Sequence, residues 1–300
     1  MSGENITILT PAYNRAERLE KLYCSLKEQT LSGFVWLIVD DGSKDNTAEL
    51  VKVWQEEGAV PIEYIHKENG GKHTALNLGI TRIKSELTFI VDSDDYLPSD
   101  AIELIMNYHD KYREKKLENR LCGYSFLRYY SDGTVNTAYF PENEKIDTYL
   151  QVRINGGIGG DKAEVFYTEI IKKYPFPVFQ GEKFLPEDVV WMQMSEKYNM
   201  VHINECVYYC DYLEGGLTKT GRRMKIKSPK GMCLRSKIYL NNEKVCLKVK
   251  IKMMLLYIIY GRTSGEKWIS LYREVQCKGL YALSFLPGMA LFVFWKLKYK

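Results

Sequence analysis

The stretch Leu87-Thr88-Phe89-Ile90-Val91-Asp92-Ser93-Asp94-Asp95 decides how this chain reads. Five residues without charge, too few for a helix, run directly into three carboxylates within four positions. An apolar run of this length is a strand buried on both faces. Carboxylates packed this closely repel one another, so the folded state must supply cations or hydrogen-bond donors. Hard divalent ions prefer oxygen ligands and share one or two carboxylates with substrate phosphates. Solvated acids at the start of a helix are the competing explanation.

The same grammar repeats on the N-terminal side. Ile6–Thr10, Phe34–Val39 and Ile62–Ile65 read as strands. Between them, 15–29, 46–57 and 72–84 carry apolar residues at helical spacing, and a further helix over 99–115 takes Ser99 as its N-cap. This β-α alternation predicts an α/β fold: a mostly parallel sheet with helices on both faces. Ligands of such sheets bind beyond the carboxyl ends of the strands. The informative residues are therefore Pro11–Arg15, Asp40–Ser43, Lys67–Lys72 and Asp92–Asp95, gathered at one edge.

Beyond residue 120 the pattern changes. Leu121–Tyr130 and Thr134–Phe140 flank Ser131-Asp132-Gly133 and predict a hairpin. A Gly-rich loop covers 154–161, a short helix opens at Pro186-Glu187-Asp188, and a strand covers 201–209.

Several chemistries are excluded. The first strand-to-helix turn has no Gly, so the dinucleotide fingerprint is absent. Around Gly71-Lys72 the phosphate-loop pattern fails, with His66 and His73 in required positions. There is no HExxH, no GxSxG, and only four His. Seven Cys without CxxC spacing read as reduced thiols of an intracellular protein, and the first residues carry no signal-peptide pattern.

The net charge of +4 over 300 residues conceals a split. Residues 219–300 hold 19 Lys and Arg against three Glu, giving +16, and residues 1–218 carry −12. Nucleic acid would suit the tail but be repelled by the front, and no reader motif is present. Leu280–Trp295 is free of charge and bracketed by lysines, including Lys296, Lys298 and Lys300. That pattern fits a helix lying in the interface of an anionic membrane; packing onto the protein itself is the alternative.

Taken in order, five segments resemble the family 2 glycosyltransferases. They are Thr10-Pro11-Ala12-Tyr13-Asn14-Arg15, Leu26 with Gln29-Thr30, Val39-Asp40-Asp41-Gly42-Ser43 with Asp45-Asn46-Thr47, Asn69-Gly70-Gly71-Lys72 with Ala75 and Asn77, and Asp92-Ser93-Asp94-Asp95. The resemblance implies a GT-A, Rossmann-like sheet flanked by helices, followed by a basic helical C-terminal appendage. It implies a catalytic domain over 1–218, with a nucleotide-binding half 1–115 and an acceptor-binding half 116–218, and the tail over 219–300. It further implies an inverting sugar transferase that uses a nucleotide-sugar, UDP-linked, with Mg2+ or Mn2+. The acceptor is a saccharide or lipid-linked hydroxyl in cell-surface polysaccharide or glycolipid synthesis, on the cytoplasmic side and peripheral to the membrane.

By the same resemblance, Pro11 and Tyr13 line the base, Asp41 reads it, and Lys72 approaches the phosphates. Asp92 touches the ribose, while Asp94 and Asp95 hold the metal. Glu187 and Asp188 include the catalytic base, and Asp161 contacts acceptor or donor sugar. The contrasting reading is a catalytically silent saccharide- or nucleotide-binding module of the same fold.

Overall fold

A computed structural model describes residues 5–210 and 217–299. Lys300 of the lysine cluster lies outside the described residues. Packing groups the chain into two compact units: 1–148, 158–175 and 197–212 in the first, and 149–157, 176–196 and 213–300 in the second.

The first unit contains β1 (Ile6–Ala12), α1 (Ala16–Lys27), β2 (Phe34–Asp40), α2 (Thr47–Glu57), β3 (Ile62–His66), α3 (Lys72–Arg82), β4 (Leu87–Ile90) and α4 (Ala101–Tyr112). It continues with β5 (Leu121–Tyr129), β6 (Lys145–Asp147), β7 (Ala163–Tyr167) and α5 (Thr168–Ile171). In the second unit α6 (Asp188–Met194) follows a π-helical turn at Leu150–Asn155. The strand β8 (Asn199–Tyr209) then returns to the first unit.

Among the described residues, eight strands form one sheet in the order β3-β2-β1-β4-β7-β5-β8-β6. The pairs among β1 to β4 are parallel, as is β5 with β8, while β7 and β6 pair antiparallel to their neighbours. The parallel part, β1 to β4, is what the alternating pattern predicts, and the mixed α/β sheet as a whole is of the type that the family resemblance implies.

β1, β2 and β4 are buried at every position, as their uninterrupted apolar runs require. Each large side chain sealed in this way stabilises the fold by about 1.5–3 kcal/mol. On one side Tyr23 of α1 and Trp54 of α2 stack at 4.4 Å, with Trp36 of β2 at 5.9 Å from Trp54. The indole N–H of Trp36 donates to Thr10 Oγ1 at 3.0 Å, so its one polar atom is satisfied inside the core.

Two local expectations change. Residues 134–140 do not form the second strand of a hairpin; beyond the turn they add only a single bridge, Tyr129 to Val135. A strand has two hydrogen-bonding edges, and β7 and β8 occupy both edges of β5. The fourth helix begins after Asp100 rather than Ser99, whose carbonyl instead accepts the Thr30 N–H at 2.8 Å.

The second unit is otherwise helical: α7 (Leu217–Lys227), α8 (Pro229–Asn241), α9 (Leu247–Thr263), α10 (Trp268–Glu274) and α11 (Lys278–Lys298). The Glu182 carboxylate caps α8, accepting the N–H groups of Lys230 at 2.8 Å and Gly231 at 2.9 Å.

Candidate active site

Strand order reverses between β1 and β4, which is where ligands of open α/β sheets bind. Ala12 is level with Asp40, and Val91 hydrogen-bonds back to Leu9, so the loops after β1, β2 and β4 leave the sheet at one edge.

The first two loops hold each other. The Asn14 N–H donates to Ser43 Oγ at 2.8 Å, and Asn14 Oδ1 accepts the Lys44 N–H at 2.8 Å. Asp45 accepts from the Ala16 N–H at 3.2 Å and from the Thr47 hydroxyl at 2.6 Å. Burial works against the charge on Asp45, but these donors prevail and its pKa is lowered. Asp40 accepts from the Ser43 N–H at 2.8 Å and the Tyr64 hydroxyl at 2.5 Å. Pro11 lies buried in β1, and Tyr13, next to these contacts, has its side chain exposed.

Asp41 is buried and organises the third loop. Its carboxylate accepts from Lys67 Nζ at 2.6 Å, Gly70 N–H at 2.9 Å, Gly71 N–H at 2.6 Å and Asn69 Nδ2 at 3.2 Å. The glycines have steric reasons. Gly71 has φ +95°, and at Gly42, with φ +84°, a Cβ would stand 2.9 Å from the Asn69 nitrogen. The Asn-Gly-Gly-Lys segment is thus wrapped around one carboxylate.

The acids after β4 are treated differently. Lys72 Nζ stands 2.5 Å from Asp92, Arg128 lies 3.6 Å from Asp92 and 3.7 Å from Asp95, and Arg15 lies 3.9 Å from Asp94. The Tyr208 hydroxyl accepts the Asp92 N–H at 2.9 Å and donates to Asp95 at 2.8 Å. Arg128 stacks its guanidinium over the Tyr208 ring at 3.9 Å and donates Nε to the Lys162 carbonyl. Burial alone would raise the Asp92 carboxyl, but Lys72 and Arg128 outweigh it and hold its pKa at about 2. Burial and the adjacent Asp92 charge push Asp95 up to about 7, against the pull of Arg128. Asp161 stands exposed just before β7.

Arg128 and Tyr208 are the residues that sequence reasoning missed. Arg128 is the last residue but one of β5 and Tyr208 the last but one of β8, and neither sits in a motif. Strand pairing delivers them: Arg128 is in register with Tyr208, and Tyr96, just past the acids, bridges to Tyr209.

Within the second unit, Asp188 opens α6 and is tied to α8. Its Oδ2 accepts from Arg235 Nε at 2.8 Å, from Arg235 NH2 and from the Tyr239 hydroxyl at 2.7 Å. Its Oδ1 takes Arg235 Nε alone, at 2.8 Å. Burial opposes the charge, yet the Arg235 guanidinium and Tyr239 leave the Asp188 pKa lowered. Glu187 is the N-cap residue of α6 and is half-buried.

Among the described residues no three His, Cys, Asp or Glu converge as a self-sufficient metal site. A metal shared with a diphosphate needs less than that. Asp92 faces Lys72 at 2.5 Å and Asp95 is largely buried beside Arg128, while Asp94 lies 3.9 Å from Arg15 and retains solvent access. An accessible carboxylate of hard oxygen donors fits such an ion.

Residues 7–151 match the family described as Glycosyl transferase family 2. Just under half of the chain therefore carries the sequence pattern of that family. The segment spans every strand-end acid from Asp40 to Asp95. The poly(ribitol-phosphate) beta-N-acetylglucosaminyltransferase TarP of Staphylococcus aureus is 30% identical over 107 residues, covering 35% of this chain and 33% of that protein. The first curated relatives are matched over only 17–33% of their length. The structure resembles S. aureus TarS 1-349 in complex with UDP-GlcNAc, with TM-score 0.63 and 18% identity over 92% of this chain and 78% of that one. It also resembles the mannosyltransferase PcManGT of Pyrobaculum calidifontis in complex with GDP-Man and Mn2+, with TM-score 0.57 and 16% identity over 98% and 83%. These two likenesses concern the fold.

Proposed function

We propose that the protein is an inverting glycosyltransferase. It moves a sugar from a UDP-linked donor to a hydroxyl of a saccharide or lipid-linked acceptor, in cell-surface polysaccharide or glycolipid synthesis on the cytoplasmic side. The observation that carries this reading is the acid cluster Asp92, Asp94 and Asp95 at the strand-order reversal, within the family 2 segment and faced by Lys72, Arg128 and Arg15. The structural likeness to TarS bound to UDP-GlcNAc supports the choice of a uridine nucleotide.

In this mechanism Pro11 and Tyr13 line the base. Asp41 acts through the loop it holds, presenting the Asn69–Lys72 backbone to the nucleotide. Asp92 binds the ribose. Lys72 and Arg128 turn toward the phosphates when the donor arrives, since both are cations already aimed at anions in this space. Asp94, with Asp95 beside it, would hold Mg2+ or Mn2+, which when bound neutralises charge growing on the departing diphosphate. Asp161 contacts a sugar.

The proton of the attacking hydroxyl goes to the Glu187-Asp188 pair. A base must be ionised before it can accept, and Arg235 keeps Asp188 so. Its Oδ1 takes one hydrogen bond and has a lone pair to give, whereas Oδ2 is saturated. Asp188 is therefore the proposed base, and Arg235 and Tyr239 are its positioning residues.

The test is a panel of nucleotide-sugars with Mn2+, read by release of nucleoside diphosphate and by thermal shift. UDP-sugars are expected to raise the melting temperature and to turn over slowly even without acceptor. Asp188→Asn should keep the shift and lose turnover, with Glu187→Gln losing less. No shift with any nucleotide would overturn the proposal; a shift with no turnover under any acceptor would leave a binding module.

A further inference from the structure

The last helix, α11, is buried along one narrow stripe, Tyr281, Ser284 and Gly288. Gly288 seats it on α9: a Cβ there would stand 2.9 Å from the Ile258 side chain. The opposite face carries Leu283, Leu286, Val293, Phe294 and Leu297, of which Leu283, Leu286 and Leu297 are 81%, 76% and 69% exposed. From Gly279 to Trp295 no side chain is charged, and the one serine is buried. Soluble surfaces rarely leave a continuous apolar face of this kind uncovered.

The charges at its ends indicate what covers it. Lys278 starts the helix and Lys296 and Lys298 finish it, within a segment of net charge +16. A second copy would bring an equally positive tail against this one, and like charges would oppose the pairing. An anionic lipid surface offers acyl chains to the leucines and headgroups to the lysines. With 21 residues, and a mean hydropathy of 1.6 over its most apolar 18, the helix is long and apolar enough to cross a bilayer. One side, however, is committed to α9, and an amphiphile with one seated face lies along the interface.

We infer that the outer face of α11 is a docking surface for an anionic phospholipid bilayer, held in the plane of the headgroups. This goes beyond the transferase reading and does not depend on it.

The test uses the full chain and extruded vesicles of phosphatidylcholine containing about one-third phosphatidylglycerol. The protein is expected to float with these vesicles and to remain behind with phosphatidylcholine alone. The double variant Leu286→Glu, Phe294→Glu should weaken binding about tenfold or more, as expected when buried apolar contacts become charges. Both residues point outward, so its melting temperature and its release of nucleoside diphosphate in solution should match wild type. Failure to float, or binding equal on neutral vesicles, would overturn the inference. So would a wild-type dimer by light scattering that the double variant dissolves, because a second copy would then cover the face. Resistance of the bound chain to alkaline carbonate would overturn it in favour of a span. Because vesicle binding and donor turnover are read separately, either can fail while the other stands.

Discussion

The acids after β2 and those after β4 are the same residue type at one edge of one sheet, yet they are satisfied by opposite means. Asp40, Asp41 and Asp45 receive backbone N–H groups and hydroxyls from the segments around them, with Lys67 as a cation on Asp41. Asp92, Asp94 and Asp95 face cations on long side chains from three separate segments. A carboxylate enclosed by backbone donors builds a loop and cannot easily release it. One balanced by lysine and arginine can exchange those partners for a ligand. The comparison separates acids that make the site from acids that use it.

The largest expected effect falls on the using side. Asp94→Ala should lower turnover by about 10²–10³-fold, the scale of losing one preorganised charge-stabilising group. Its melting temperature without ligand should stay close to wild type, because its nearest cation is at 3.9 Å. Asp41→Ala should do the reverse. It removes the counter-ion of Lys67 and the acceptor of two glycine N–H groups, and removing one partner of a buried pair costs about 3–5 kcal/mol. Urea denaturation of both variants checks the contrast; equal destabilisation would erase it.

Arg128 tests whether the cations are exchangeable. Arg128→Met keeps length and apolar contact with Tyr208 but removes the charge beside Asp92 and Asp95. Affinity for UDP should fall about tenfold or more by calorimetry, the loss of one charge-assisted contact. If UDP binds more tightly instead, Arg128 obstructs the site rather than serving it.

The sheet and its acidic edge were legible because they are local in sequence: a buried strand is a short apolar run, and its loop follows at once. Arg128 and Tyr208 were not, because each is one residue of a strand, brought near Asp92 by pairing across 36 and 116 positions of chain. Arg235 was hidden for another reason. It is one of 19 basic residues in the tail, and only the packing of α8 against α6 distinguishes it. The apparent hairpin after β5 misled because local turn chemistry says nothing about which edges of a strand are already taken.

The last contrast concerns Asp188, an acid satisfied by a cation like those after β4 but locked by geometry like those after β2. Its pKa is lowered on folding, so its ionised form is stabilised in the native state and its protonated form is not. The stability it provides is complete above the unfolded value of about 3.9. It is lost progressively as pH falls through the depressed folded value. Arg235→Met removes the cause of that depression, leaving burial to push the carboxyl upward. At neutral pH the variant should be about 3 kcal/mol less stable. Between about pH 5 and pH 2 that deficit should shrink, because the wild type loses what the variant never had. Melting curves of the two proteins across this range should therefore converge on acidification. Parallel curves would mean that Asp188 draws its stabilisation from Tyr239 and from packing, and that Arg235 is as exchangeable as Lys72.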